Sequence, residues 1–108
     1  MEDEKKFEIV LHAGNAESSA LMAMEAAREH RFDEADALQM EAANELSEAH
    51  RLHTGVLSLA ASGTHIEMDV LLVHAQDHLS MATVLQEVSG EIIALNKRVF
   101  QLESAATQ

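Results

Sequence analysis

Val73-His74-Ala75-Gln76-Asp77-His78-Leu79 lies inside a stretch from Asp69 to Glu103 that contains no proline, and a helix is its natural reading. On a helix His74, Asp77 and His78 stand at i, i+3 and i+4, so all three side chains leave one face. The next apolar residues on that face are Val70, Met81, Val84 and Leu85. Two imidazoles and a carboxylate therefore interrupt a stripe that would otherwise be buried, and buried polar groups need partners or a task.

The pattern runs on from there. Leu71, His74, His78, Met81, Leu85, Val88, Ile92, Leu95, Val99 and Leu102 alternate in steps of three and four, which is the seam pattern of a coiled coil. A second stripe passes through Leu72, Ala75, Leu79, Ala82, Ile93 and Phe100. Together the two cover well over half of the helix circumference, whereas a helix in a lone three-helix bundle buries one sector. The surplus face predicts a partner chain. Asp77 lies between Val70 and Val84 in one heptad column at the centre of that face, and Glu91 and Arg98 continue the column.

Working outward, the breaks divide the chain into three helices. The first is expected from about Asp3 to about Glu29, the second from about Glu34 to about Ala61, the third from about Asp69 to about Glu103. Arg31-Phe32-Asp33 reads as a tight connection, with Asp33 as N-cap and Asp36 in the capping-box position. Gly63 suits the left-handed conformation that ends helices, Thr64 to Met68 reads as a loop, and Asp69 is an N-cap. Short connections between long helices give an antiparallel up-down-up three-helix bundle. The first residues and Ser104 to Gln108 are expected to fray. Phe7, Phe32 and Phe100 are the only aromatics, one to each side of the bundle, and such a thin core favours oligomerisation.

Composition agrees. The 108 residues include no Pro, Trp, Tyr or Cys, and Ala, Leu, Glu and Met dominate, so one all-α domain is expected. Without cysteine there is neither a disulfide framework nor a zinc-thiolate site. No signal peptide and no membrane-spanning run is visible, which predicts a soluble cytoplasmic protein without membrane insertion. A net charge of −12 argues against nucleic-acid phosphates as partners and favours basic patches on protein partners.

Three chemistries fit the triplet. The histidines can be satisfied seam residues. They can ligate a divalent ion, although His-x-x-Asp-His lacks the general-base Glu of the metalloprotease helix. Or His74 is a nucleophile: a neutral imidazole accepts a phosphoryl group on one nitrogen when the other is tied down. His78, one turn on, would then orient that ring or contact the phosphoryl oxygens, while Gln76 points to a different sector, towards a partner or solvent. His12, His50 and His53 either line the same cleft or cap the core. His30 and His65 read as surface residues at helix ends.

The heptapeptide from Val73 to Leu79 closely resembles the signature of the lactose/cellobiose-type IIA components of the bacterial phosphoenolpyruvate-dependent sugar phosphotransferase system. Ile9-Val10-Leu11-His12-Ala13-Gly14-Asn15-Ala16 is similar to the first helix of that family, Phe32-Asp33-Glu34-Ala35 to its first turn, and Glu48-Ala49-His50 with His53-Thr54 to its second helix. The resemblance implies a homotrimer of three-helix bundles, nine helices in all. It implies that His74 is phosphorylated, and that Asp77 from each chain meets on the threefold axis around a divalent cation such as magnesium. It implies that the histidine-containing phosphocarrier protein is the donor and a cysteine of the IIB component the acceptor, in sugar uptake. Three positions depart: Glu17 stands where Arg is common, His53 where Gln is usual, and Ser80-Met81 where Met-Thr is usual. The competing reading is a non-catalytic helical oligomer whose His/Asp layer is structural or binds metal.

Overall fold

A computed structural model describes residues 3–107. It contains α1 (Asp3–Arg28), α2 (Phe32–Ala61) and α3 (Val70–Ala106), and no strand among the described residues. The helices run up, down and up in a rod of 65 × 20 × 18 Å. Helix α1 lies against both of the others and buries Ile9, Ala13, Ala16, Ala20, Ala23, Ala26 and Ala27. Ala42 and Ala49 of α2 and Ala75 and Ala82 of α3 answer them. With methyl groups at the crossings, the backbones approach closely, and the core stays thin, as read.

Both turns of chain end their helices in the same way. The Arg31 amide donates to the Ala26 carbonyl at 2.9 Å and the His30 amide to Ala27 at 3.0 Å, while His30 takes φ 61°. After α2, the Thr64 amide donates to Leu59 and the Gly63 amide to Ala60, both at 3.1 Å, with Gly63 at φ 92°. Both are Schellman closures, one on the expected glycine and one on a histidine that tolerates the left-handed region. His30 is held there by aromatic packing: its ring lies 5.5 Å from Phe32 and 5.1 Å from Phe100, and Phe32 and Phe100 are 5.7 Å apart. The aromatics are therefore not spread one to a side. Two gather at one end with His30, and Phe7 is exposed.

That closure also corrects the start of α2. The helix begins at Phe32, Arg31 occupies the cap position without a side-chain cap, and Asp33 sits inside the first turn. At the other end, α3 continues through Ser104, Ala105 and Ala106 instead of fraying there, because two alanines with no breaker extend it. The expected fraying of the first residues and of Gln108 falls partly on Met1, Glu2 and Gln108, which lie outside the described residues.

Asp69 caps α3 as read, accepting from the Leu72 amide at 2.9 Å. It also accepts from Lys6 Nζ at 2.6 Å, and Lys6 is buried. This pair ties the start of α1 to the start of α3, five residues before His74. The Lys6 hydrogen bond, then the Leu72 amide, hold the Asp69 carboxyl below its ordinary 3.8, and the bond to Asp69 holds the Lys6 ammonium above its ordinary 10.5. The sign follows by linkage. The pair's stabilisation is complete between pH 3.8 and 10.5, fades in acid as Asp69 protonates, and fades in strong base as Lys6 loses its proton. Asp69→Ala is expected to lower Tm by several degrees near neutrality and to flatten the acid limb of the Tm-against-pH curve. An unchanged curve would contradict the tie.

Candidate functional site

His74 is the fifth residue of α3, one turn past the Asp69 cap, and is exposed. His78, half-buried, stands one turn on. Their Nε2 atoms are 3.2 Å apart, and the rings meet edge to face with centroids 4.5 Å apart. His78 Nδ1 lies 2.7 Å from Glu17 Oε1 of α1. A carboxylate only accepts, so His78 Nδ1 carries the hydrogen of that bond. Three groups on two helices thus form one line: carboxylate, imidazole, imidazole.

The other sequence candidates find different partners. Gln76 does not face open solvent: its Nε2 donates to His53 Nε2 on α2 at 3.2 Å. Burial, and after it the neighbouring His50, hold the His53 imidazole below its ordinary 6.5, so it presents a lone pair to that amide. His50 Nε2 meets Thr83 Oγ1 at 3.2 Å, and His12 Nδ1 meets Glu45 Oε2 at 2.6 Å. These histidines decorate the helix crossings individually and make no bond to His74. Asp77 is exposed and has no hydrogen bond or ion pair among the described residues. Within one chain, no three metal-ligating side chains converge among the described residues.

The surplus face of α3 is real. Its second stripe is the buried one as far as Ile93: Leu72, Ala75, Leu79, Ala82 and Ile93 face the core, while Phe100 is 44% exposed. The seam stripe is largely open: Met81, Val88, Leu95 and Leu102 are 42% to 64% exposed, while Leu71, Leu85 and Ile92 are half-buried. In the Asp77 column, Val70 is 87% and Val84 59% exposed. Valines so open on a 37-residue helix mark an unpartnered surface.

Residues 4–97 match the family described as the lactose/cellobiose-specific IIA subunit of the phosphotransferase system. The chain belongs to that family. It is 40% identical over 100 residues to the lichenan-specific phosphotransferase enzyme IIA component of Bacillus subtilis, covering 93% of this chain and 91% of that protein. It is 42% identical over 92 residues to the lactose-specific EIIA component of Lactococcus lactis, covering 85% and 88%. Among solved structures, the cellobiose-specific enzyme IIA of Bacillus anthracis superposes with a TM-score of 0.88 at 36% identity, over 91% of this chain and 90% of that one. This IIA subunit is a phosphocarrier component of a sugar phosphotransferase system. No helix among its described residues is long and apolar enough to cross a membrane.

Glu17, which joins the site through His78, carries no local signal of that role in the sequence. Its signal lay in a register between α1 and α3 that no local motif encodes.

Proposed function

We propose that this chain, acting in the cytoplasm as a single IIA domain, accepts a phosphoryl group on His74 from the histidine-containing phosphocarrier protein. It then passes that group to a cysteine of its IIB partner during sugar uptake. The observation that carries the reading is the exposed His74 ring beside His78 Nε2, in the family's own signature. Exposure matters because both partners are proteins whose reacting atoms must reach the ring. In the step, the donor's P–N bond breaks and leaves its electron pair on the donor nitrogen. A lone pair of His74 forms the new P–N bond. His78 orients the receiving ring, and its own ring is held from behind by Glu17. Gln76, bound to His53, shapes the wall beside the site and is a candidate partner contact.

The working unit is a homotrimer that covers the apolar part of the α3 seam, around Val70, Met81 and Val84, and leaves His74 open in a cleft between neighbouring subunits. Around a threefold axis the Asp77 column would bring three carboxylates together. One chain supplies too few ligands, whereas three carboxylates offer the all-oxygen set that a hard divalent cation prefers, and magnesium fits. The cation would supply charge neutralisation on the axis, with Asp77 as its ligand from each chain. The rival, a non-catalytic oligomer, explains the seam but gives His74 no reason to lie open.

The test is incubation with phosphoenolpyruvate and the two general phosphotransferase proteins. One acid-labile phosphoryl group per chain is expected; a chain that stays unlabelled would refute the proposal. Steering of a basic donor by the net charge of −12 predicts slower transfer as salt rises. The Debye length shrinks from about 10 Å at 0.1 M to about 3 Å at 1 M, and a rate indifferent to salt would remove steering from the account.

A further inference from the structure

The Glu17 carboxylate reaches the site from a different helix, is half-buried, and meets Nδ1 of His78, whose other ring nitrogen meets His74. Its side chain is only 16% exposed and that of His78 27%, so the bond between them is sheltered from water. We propose that Glu17 is a positioning residue for phosphoryl transfer, acting through His78 on His74; this rests on the phosphocarrier reading above.

Donor and acceptor chemistry fixes the arrangement. A carboxylate can only accept, so the 2.7 Å contact commits His78 to carry hydrogen on Nδ1. The nitrogen left over, Nε2, is then the one that faces His74 Nε2 at 3.2 Å. In the neutral ring that nitrogen is an acceptor, and the hydrogen between the two rings comes from His74. Glu17 thus selects the tautomer of His78 and, through it, the orientation and resting tautomer of the receiving ring. A partner atom bonded to the second ring nitrogen is the usual way to set which imidazole nitrogen bears hydrogen. An orienting carboxylate behind an imidazole that contacts the nucleophile follows the logic of catalytic triads, here with an imidazole as the nucleophile.

Glu17 holds a rotamer as well as a tautomer. His74 is exposed and has only His78 beside it among the bonds of the site. An imidazole on an open helix face samples several rotamers unless a neighbour restrains it. Transfer between two proteins needs the ring in line with the incoming phosphorus, and small misplacement is costly in rate. An arginine at position 17 would carry no acceptor and could not hold His78 in this way.

The experiment uses the full chain as wild type, Glu17→Gln and Glu17→Leu, at one neutral pH. Long-range proton–nitrogen spectra read the His78 tautomer without any phosphotransfer. Transfer from the phosphorylated upstream carrier gives kcat and KM separately, and circular dichroism confirms the helices. Wild type is expected to show His78 with hydrogen on Nδ1. Glu17→Leu is expected to lose that signature and to lower kcat on the order of ten- to a hundredfold with KM little changed. Glu17→Gln keeps a carbonyl acceptor and is expected to restore both the signature and most of the rate. A folded Glu17→Leu chain with the wild-type tautomer and wild-type kcat would overturn the proposal, as would a Gln variant no better than Leu. If wild type shows the Nδ1–H signature but never becomes labelled, the phosphocarrier reading has failed, and the proposal, which rests on it, falls while the hydrogen bond itself stands.

Discussion

His74→Ala is expected to abolish phosphoryl labelling and to leave the helix content unchanged. The two halves of that result come from different parts of the molecule. His74 is exposed and contributes nothing to the alanine-rich core, so its removal opens no cavity. Alanine is the best helix former, so the first turns of α3 are if anything strengthened. The Asp69 cap and the Lys6 tie remain in place. What is lost is the one open imidazole of the signature. His78 is expected not to substitute for it, because its ring is half-buried and less open to a protein donor. Labelling of His74→Ala at anything near the wild-type extent would move the acceptor elsewhere. Unfolding of the variant, read by circular dichroism, would contradict the exposed placement.

The second large effect concerns assembly. Wild type is expected to sediment as a trimer at micromolar concentration in magnesium, to weaken with chelator, and to recover when magnesium is restored. Three Asp77 carboxylates brought to one axis repel when they leave water, and a bound cation relieves this. Binding to the assembled form alone then stabilises it by mass action. Asp77→Leu should remove the chelator effect and tighten the trimer, since packed apolar groups often outperform buried charge. Val70 and Val84, above and below in the same column, supply the apolar surroundings that the leucine would join. A wild type that remains monomeric with magnesium present would overturn the trimer and the axial cation together.

Most of the architecture is legible in the sequence, and the reason is periodicity. Helix α3 carries two stripes whose sum exceeds what one bundle can bury. The structure buries the stripe through Leu72, Ala75, Leu79 and Ala82 and leaves the one through Met81, Val88 and Leu95 open. Gly63 and Asp69 bound the second connection as their chemistry requires. The first connection was misjudged because its closure uses His30 in the left-handed region, where glycine is the usual signal, and because aromatic stacking supplies the compensation. Asp33 looked like a cap on local chemistry alone; the closure had already started the helix at Phe32.

The site divides in the same way. His74, Asp77 and His78 lie within five consecutive positions, and helical geometry alone puts them on one face. Their partners do not. Glu17 lies 61 positions from His78, and His53 lies 23 from Gln76. Such pairs depend on the relative register of packed helices, which tertiary packing sets and no short motif records.

The most direct test of the central claim is to locate the phosphoryl group. Wild-type chain would be labelled through the general phosphotransferase proteins, kept at alkaline pH to preserve the P–N bond, and fragmented by mass spectrometry under conditions that retain the modification. The account predicts a single modified residue, His74, and loss of that modification when the cognate IIB component is added. A phosphoryl group on His78, His50 or any other residue, or one that IIB does not remove, would contradict it.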